Sequence, residues 1–158
     1  MGLFRSMDIS ASALTAQRFR MDVIGQNIAN EDTTRTANGG PYRRRVAIFA
    51  EKRDGYGFSD YLSAAQNKAN GSLAWPQRSV SSGTGVRAVQ VTEDKSDFKL
   101  VYDPEHPDAD ADGYVSYPNV DREKEMVDML SAVRSYEANI TALNNFKNIA
   151  MKALEIGR

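Results

Sequence analysis

Three carboxylates stand at alternate positions in Asp108-Ala109-Asp110-Ala111-Asp112, and Gly113 follows. Oxygens at positions 1, 3 and 5 with glycine at 6 match the first half of a calcium loop, in which Ser116 takes position 9. That loop needs a bidentate glutamate at position 12, where this chain has Asn119. Pro118 also blocks the helix start that belongs inside such a loop. The run is therefore read as a solvated acidic turn, not a metal site. The single histidine lies in Glu105-His106-Pro107-Asp108. A His–Asp pair could serve a hydrolase, but there is no G-x-S-x-G elbow and no Gly-rich phosphate loop to complete one. With no cysteine in the chain, disulfides, thiolate metal sites and cysteine nucleophiles are excluded. No catalytic residue, no cofactor and no metal is expected, and the chain is not read as an enzyme.

Arg43-Arg44-Arg45 could meet phosphate or carboxylate. In a strand, alternate residues face opposite sides, so the three do not make one patch. Residues 31–119 hold 11 basic and 13 acidic side chains, and the whole chain carries a net charge of −1. Nucleic-acid and anionic-membrane binders need a basic excess, so neither nucleic acid nor lipid is expected as a partner. Arginines meeting the carboxylates of a neighbouring subunit fit better.

The elements that would hold these residues are of two kinds. Over 3–30, Met7, Leu14, Met21 and Ile28 recur every seventh residue, with Leu3 and Ile24 at the neighbouring heptad position. That pattern predicts an amphipathic helix with a coiled-coil-like seam, interrupted by Ser10 and Gln17. So narrow a stripe needs a partner helix. Over 120–156, Met126, Met129, Val133, Tyr136, Ile140 and Leu143 alternate in steps of 3 and 4, continuing past Lys147 to Ala150 and Leu154. A second stripe (Ala142, Phe146, Ile149, Ala153, Ile156) runs beside the first. Two stripes mean two contacted sides. Asn119 or Asp121 suits the N-cap, Glu123 and Glu125 suit the first turn, and Gly157 supplies the stop.

Residues 31–119 differ in kind and contain all 5 prolines. A strand is expected over 42–50. A second and a third, around Val86–Val91 and Phe98–Tyr102, should flank a polar turn at 93–97. Residues 54–85 carry few periodic apolar positions and are expected to be loop-rich or mobile. The fold class is thus mainly α with a small β-rich middle. Its long terminal helices pair as a coiled-coil-like assembly element. Its surfaces for other copies should draw on Leu14, Met21, Ile24, Ile28, Met126, Met129, Val133, Tyr136, Ile140, Leu143, Phe146, Ile149 and Leu154.

No run reaches the roughly 18 apolar residues of a membrane span. Arg5, Asp8, Arg18 and Arg20 interrupt the N-terminal apolar residues, so no cleaved signal peptide is read. Met1-Gly2 followed by Ser6 fits a myristoylation pattern, but the pattern is too short to carry weight.

Ser12-Ala13-Leu14-Thr15-Ala16-Gln17 followed by Asn27-Ile28-Ala29-Asn30 resembles the N-terminal signature of bacterial flagellar rod and hook proteins. Gly39-Gly40-Pro41-Tyr42-Arg43-Arg44 resembles the position after it in one branch, the proximal rod (FlgC) family. The run Leu100-Val101-Tyr102-Asp103-Pro104-Glu105-His106-Pro107-Asp108-Ala109-Asp110, then Gly113-Tyr114-Val115 and Pro118-Asn119-Val120-Asp121, is similar to that family nearly unbroken. Glu125-Met126-Val127-Asp128-Met129 and Arg134-Ser135-Tyr136-Glu137-Ala138-Asn139 continue it. The resemblance covers about 3–50 and 86–158 and leaves 54–85 unmatched. It implies a structural subunit of the rod in the flagellar basal body, passed unfolded and without a cleaved signal through the flagellar type III export apparatus. It also implies polymerisation with other rod proteins and with copies of itself into the torque-transmitting shaft that crosses the periplasm. The alternatives are another proximal rod subunit and a cytosolic helical adaptor or calcium-binding module.

Overall fold

The computed structural model describes residues 3–37, 39–52, 62 and 85–156. The expectations placed on 54–84, on Met1-Gly2 and on the Gly157 stop lie outside these residues. The elements run α1 (Leu3–Ala29), β1 (Arg45–Glu51), β2 (Val86–Glu93), β3 (Lys99–Tyr102), β4 (Tyr114–Tyr117) and α2 (Arg122–Ile156). Fold class is as the periodicity indicates: two long terminal helices packed on each other, with a small antiparallel β segment between them.

The helices are antiparallel. Arg20 reaches Asp128 at 3.1 Å, and Asn27, two turns further along α1, reaches Glu125. At 1.5 Å per residue α1 is about 40 Å long and α2 about 52 Å. Their Asn27/Glu125 ends lie level, so roughly the last eight residues of α2 project beyond α1. Met151 through Glu155 are all exposed there.

The seam differs in register from the heptad read off the sequence. On α2, the shielded positions run Glu125, Met129, Ala132, Tyr136, Asn139, Leu143, Phe146 and Ala150, in steps of 4 and 3. Met129, Tyr136 and Leu143 lie on this line. Met126, Val133 and Ile140 lie one residue on, about 100° round the helix. On α1, Ala16, Val23, Ile24 and Asn27 are buried, while Met7, Leu14, Met21 and Ile28 flank them half-buried. Ala16 and Ala132 carry no bulk beyond Cβ, which lets the two backbones approach. Asp121 is the N-cap of α2: its carboxylate accepts from the amides of Glu123 and Lys124.

β1 pairs with β2 in antiparallel register from Arg45↔Glu93 to Glu51↔Val86, with a bulge between Ile48 and Phe49. The strand expected from Tyr42 begins only at Arg45, because Tyr42 turns inward and is buried. β2 and β3 do follow each other across the polar turn, but they belong to different sheets. β3 pairs with β4, a strand that the periodicity did not reveal because it has four residues. Gly113 (φ 80°) makes the left-handed turn into β4. Its bare Cα is also required because a Cβ would press on the Tyr102 ring at 2.9 Å. No helix among the described residues is long and apolar enough to cross a membrane.

Candidate functional site

Two features stand out where the terminal helices meet the β segment and along α2. The first is a buried polar joint. Asn27 is 1% exposed and makes every hydrogen bond its amide can offer. Its Nδ2 donates to the Arg45 carbonyl at 2.8 Å and to Glu125 Oε2 at 3.0 Å. Its Oδ1 accepts from the Tyr42 hydroxyl and from the Arg45 amide. Glu125 is fully buried, and its other oxygen accepts from Arg44 Nε at 2.6 Å. The Arg44 guanidinium also faces Asp94 at 3.7 Å and Asp128 at 3.5 Å. Asn119 completes the joint: its Oδ1 accepts from the Arg44 amide and its Nδ2 donates to the Asp94 carbonyl and the Ser96 hydroxyl.

The arginine triplet therefore divides. Arg44 is bound to carboxylates of its own chain rather than a neighbour's. Arg43 stacks over Phe98, 4.2 Å from the ring centroid, and Arg45 lies over Tyr42. Burial pushes the Tyr42 hydroxyl above its ordinary value; Arg45 opposes this, while Glu125 and Glu93 add to it. The Asp94 carboxyl is held below the usual range, first by the Ser96 amide, then by the Ser96 hydroxyl and Arg44.

The acidic run is held as a turn. Asp108 accepts from the Thr34 hydroxyl at 2.8 Å and lies 3.8 Å from Arg35. Its amide donates to His106 Nδ1, while Asp110 and Asp112 are exposed. Among the described residues, no group of three His, Asp or Glu side chains is disposed to hold a metal ion.

The second feature is apolar. Of the thirteen candidate assembly positions, Ile24 is buried, and Leu14, Met21, Ile28, Met129, Val133, Tyr136, Leu143 and Phe146 are half-buried. Met126, Ile140, Ile149 and Leu154 are exposed, and Val127, Leu130 and Met151 join them. Met126, Leu130, Val133 and Ile140 form a strip beside the seam, and Ile149, Met151 and Leu154 occupy the projecting end. Leu130 and Met151 stand on neither of the two stripes read from the sequence. The joint escapes the heptad reading because Glu125 suits the first turn of a helix by its charge alone and Asn27 stands off the heptad line. Residue type gave no signal for it, since Glu125 follows Arg122-Glu123-Lys124 and Asn27 follows Gln26.

The sequence model described as "Flagella basal body rod protein" matches residues 7–35. That described as "Flagellar basal body rod FlgEFG protein C-terminal" matches residues 111–156. The flagellar basal-body rod protein FlgC of Bacillus subtilis is 52% identical over 162 residues, covering 100% of both chains. FlgC of Borreliella burgdorferi is 46% identical, covering 99% of this chain and 98% of its own. FlgC of Salmonella typhimurium is 39% identical over the full length of both. The chain belongs to the FlgC family of flagellar basal-body rod proteins. The two matched segments hold α1 on one side and β4 with α2 on the other. Asn27 falls in the first and Glu125 in the second, whereas Arg44 and Asp94 fall between them. The joint thus ties both rod segments of this FlgC-family chain to the region that separates them.

Proposed function

We propose that this chain is a structural subunit of the proximal part of the flagellar rod, polymerising through its terminal helices with copies of itself and with other rod proteins. In this reading 3–30 and 120–156 are the assembly helices, and 31–119 is carried between them, with 54–85 as its variable part. The chain reaches its place through the flagellar type III export apparatus without a cleaved signal. The relatives are named as rod proteins, a structural role, and no reaction is required of this one.

The observation that carries the reading is the apolar strip of Met126, Leu130 and Ile140, with half-buried Val133 between them, which the intramolecular seam leaves exposed. Contiguous apolar surface beside an already filled seam marks a contact with another chain. Leu130→Asp tests it. The side chain is exposed, so the monomer should keep its stability to within about 0.5 kcal/mol. In an assembled contact the same carboxylate would be buried without a partner. The variant should be secreted and folded but absent from isolated basal bodies, and the cells should not swim. Normal swimming would remove the strip from the assembly surface. Loss of secretion would show that this helix is also read during export.

A further inference from the structure

Resting on the assembly reading above, we infer that Glu125 is a positioning residue for assembly. It fixes the rotation of α2 about its own axis and so keeps Met126, Leu130 and Ile140 facing outward. The helix carries two lines able to meet α1. Met129, Tyr136 and Leu143 belong to both. One line completes them with Glu125, Ala132 and Asn139, the other with Met126, Val133 and Ile140. Consecutive residues stand about 100° apart, so exchanging the lines takes a turn of α2 by about 50°.

Burial of apolar surface has no direction, and it favours the second line. That line sets a thioether and two branched side chains against α1 in place of a carboxylate, a methyl and an amide. The structure nevertheless uses the first: Glu125 and Ala132 are 0% exposed, while Met126 is 54% and Ile140 37% exposed. A directional interaction must make that choice. Ala132 has no polar group, and Asn139 turns its amide back to the Ser135 carbonyl of its own helix. Glu125 reaches across: Oε2 accepts from Asn27 of α1 at 3.0 Å and Oε1 from Arg44 Nε at 2.6 Å. The socket is fixed without it, because Asn27 is also held by the Tyr42 hydroxyl and by the amide and carbonyl of Arg45. Turning the helix would carry the carboxylate out of alignment with both donors. A polar residue within a helix seam sets register in this way, at a cost in stability. The Arg20–Asp128 pair stands on the opposite flank, but both side chains are 33% exposed and such pairs contribute little. Without Glu125, α2 turns its apolar line onto α1, and the strip that meets the next chain is lost into the monomer.

The absence of cysteine makes the rotation measurable. Met126→Cys and Ala132→Cys are made singly, and labelling by a small maleimide is timed on the folded chain. The first should label fast and the second slowly. Adding Glu125→Leu should exchange them, slowing Met126→Cys and speeding Ala132→Cys by about tenfold. That variant should stay folded, since Arg44 keeps Asp94 at 3.7 Å and Asp128 at 3.5 Å, and Asn27 keeps the Arg45 carbonyl. Adding Val133→Ala and Ile140→Ala as well removes the competing line and should restore the parent rates. Asp128→Ala alone should leave both rates unchanged. In cells, Glu125→Leu should be secreted but absent from isolated basal bodies. Unmoved rates, rates that stay exchanged without the competing line, an exchange in Asp128→Ala, or exchanged rates in a Glu125→Leu chain whose strain still swims would each overturn the inference. If both sites in Glu125→Leu label as fast as in urea, Glu125→Gln decides. It keeps one of the two bonds and should move the rates in the same opposed directions, by less; rates unmoved or moved together there overturn the inference too. The assembly reading is measured separately, by swimming of the Leu130→Asp strain. Unexchanged labelling beside a non-swimming Leu130→Asp strain overturns the positioning role alone.

Discussion

Glu125 has no solvent and two donors, Arg44 Nε and Asn27 Nδ2. Removing Arg44 leaves a buried carboxylate half-satisfied, and such losses cost about 3–5 kcal/mol. Arg44→Ala should therefore lower the urea midpoint markedly. Combining it with Glu125→Leu should recover much of the loss, because the stranded charge disappears with its partner. Additive losses in that double-mutant cycle would show the two groups to be uncoupled. The joint also gives stability a pH window with two edges. Tyr42 has a raised value in the fold, so its neutral form is favoured. Its contribution is complete below 10.0, the ordinary value, and is lost as pH rises through the raised one. Asp94 has a lowered value, so its contribution is complete above 3.8 and is lost as pH falls through the lowered one. Tyr42→Phe should flatten the alkaline edge of a thermal-melt series, and Asp94→Asn should flatten the acid edge. An unchanged edge in either variant would place its cause elsewhere. None of this was legible as such in the sequence. Arg43-Arg44-Arg45 and Glu125 were visible, but which arginine meets which carboxylate depends on contacts between residues 81 positions apart.

At the scale of elements, the helices were legible and their seam only in part. Both were marked by 3–4 periodicity, and the N-cap at Asp121 was one of the two candidates the residue types offered. The seam register moved by one residue because apolarity was not what chose it. Bonding to Asn27 and Arg44 turns Glu125 inward, and Ala132 and Asn139 follow one and two heptads on. The richer line through Met126, Val133 and Ile140 is rotated to the flank. Strands were legible where they alternate over several residues, as in β1 and β2, and not in four-residue β4. The seating of β2 depends on a glycine. Gly85 has φ 128° and lies where any Cβ would run into the Ser12 hydroxyl. That hydroxyl donates to the Ile9 carbonyl and accepts the Val86 amide. Gly85→Ala should thus cost about 1–3 kcal/mol, from backbone strain and the lost Ser12–Val86 bond. Chemical denaturation reads it, and a loss no greater than that of Ser12→Ala alone would remove the strain from the account.

For the whole molecule, protection should be graded along α2. Its N-terminal half is bracketed by Asn27, Arg20 and Arg44, while its last turns have no α1 beside them. Amide exchange in the isolated chain should be slowest over 125–143 and faster by orders of magnitude over 149–156. Uniform protection along α2 would mean that something else covers its end. The bonds that close the fold also constrain its timing. Arg20 pairs with Asp128 across 108 positions and Asn27 with Glu125 across 98. Neither can form until nearly the whole chain is available, and closing such long loops must precede any return from the contacts. A chain delivered N-terminus first therefore holds α1 without its partner for most of its passage. On the export route proposed above, the contacts that make the fold rigid would therefore close only after residues 125–128 had been delivered.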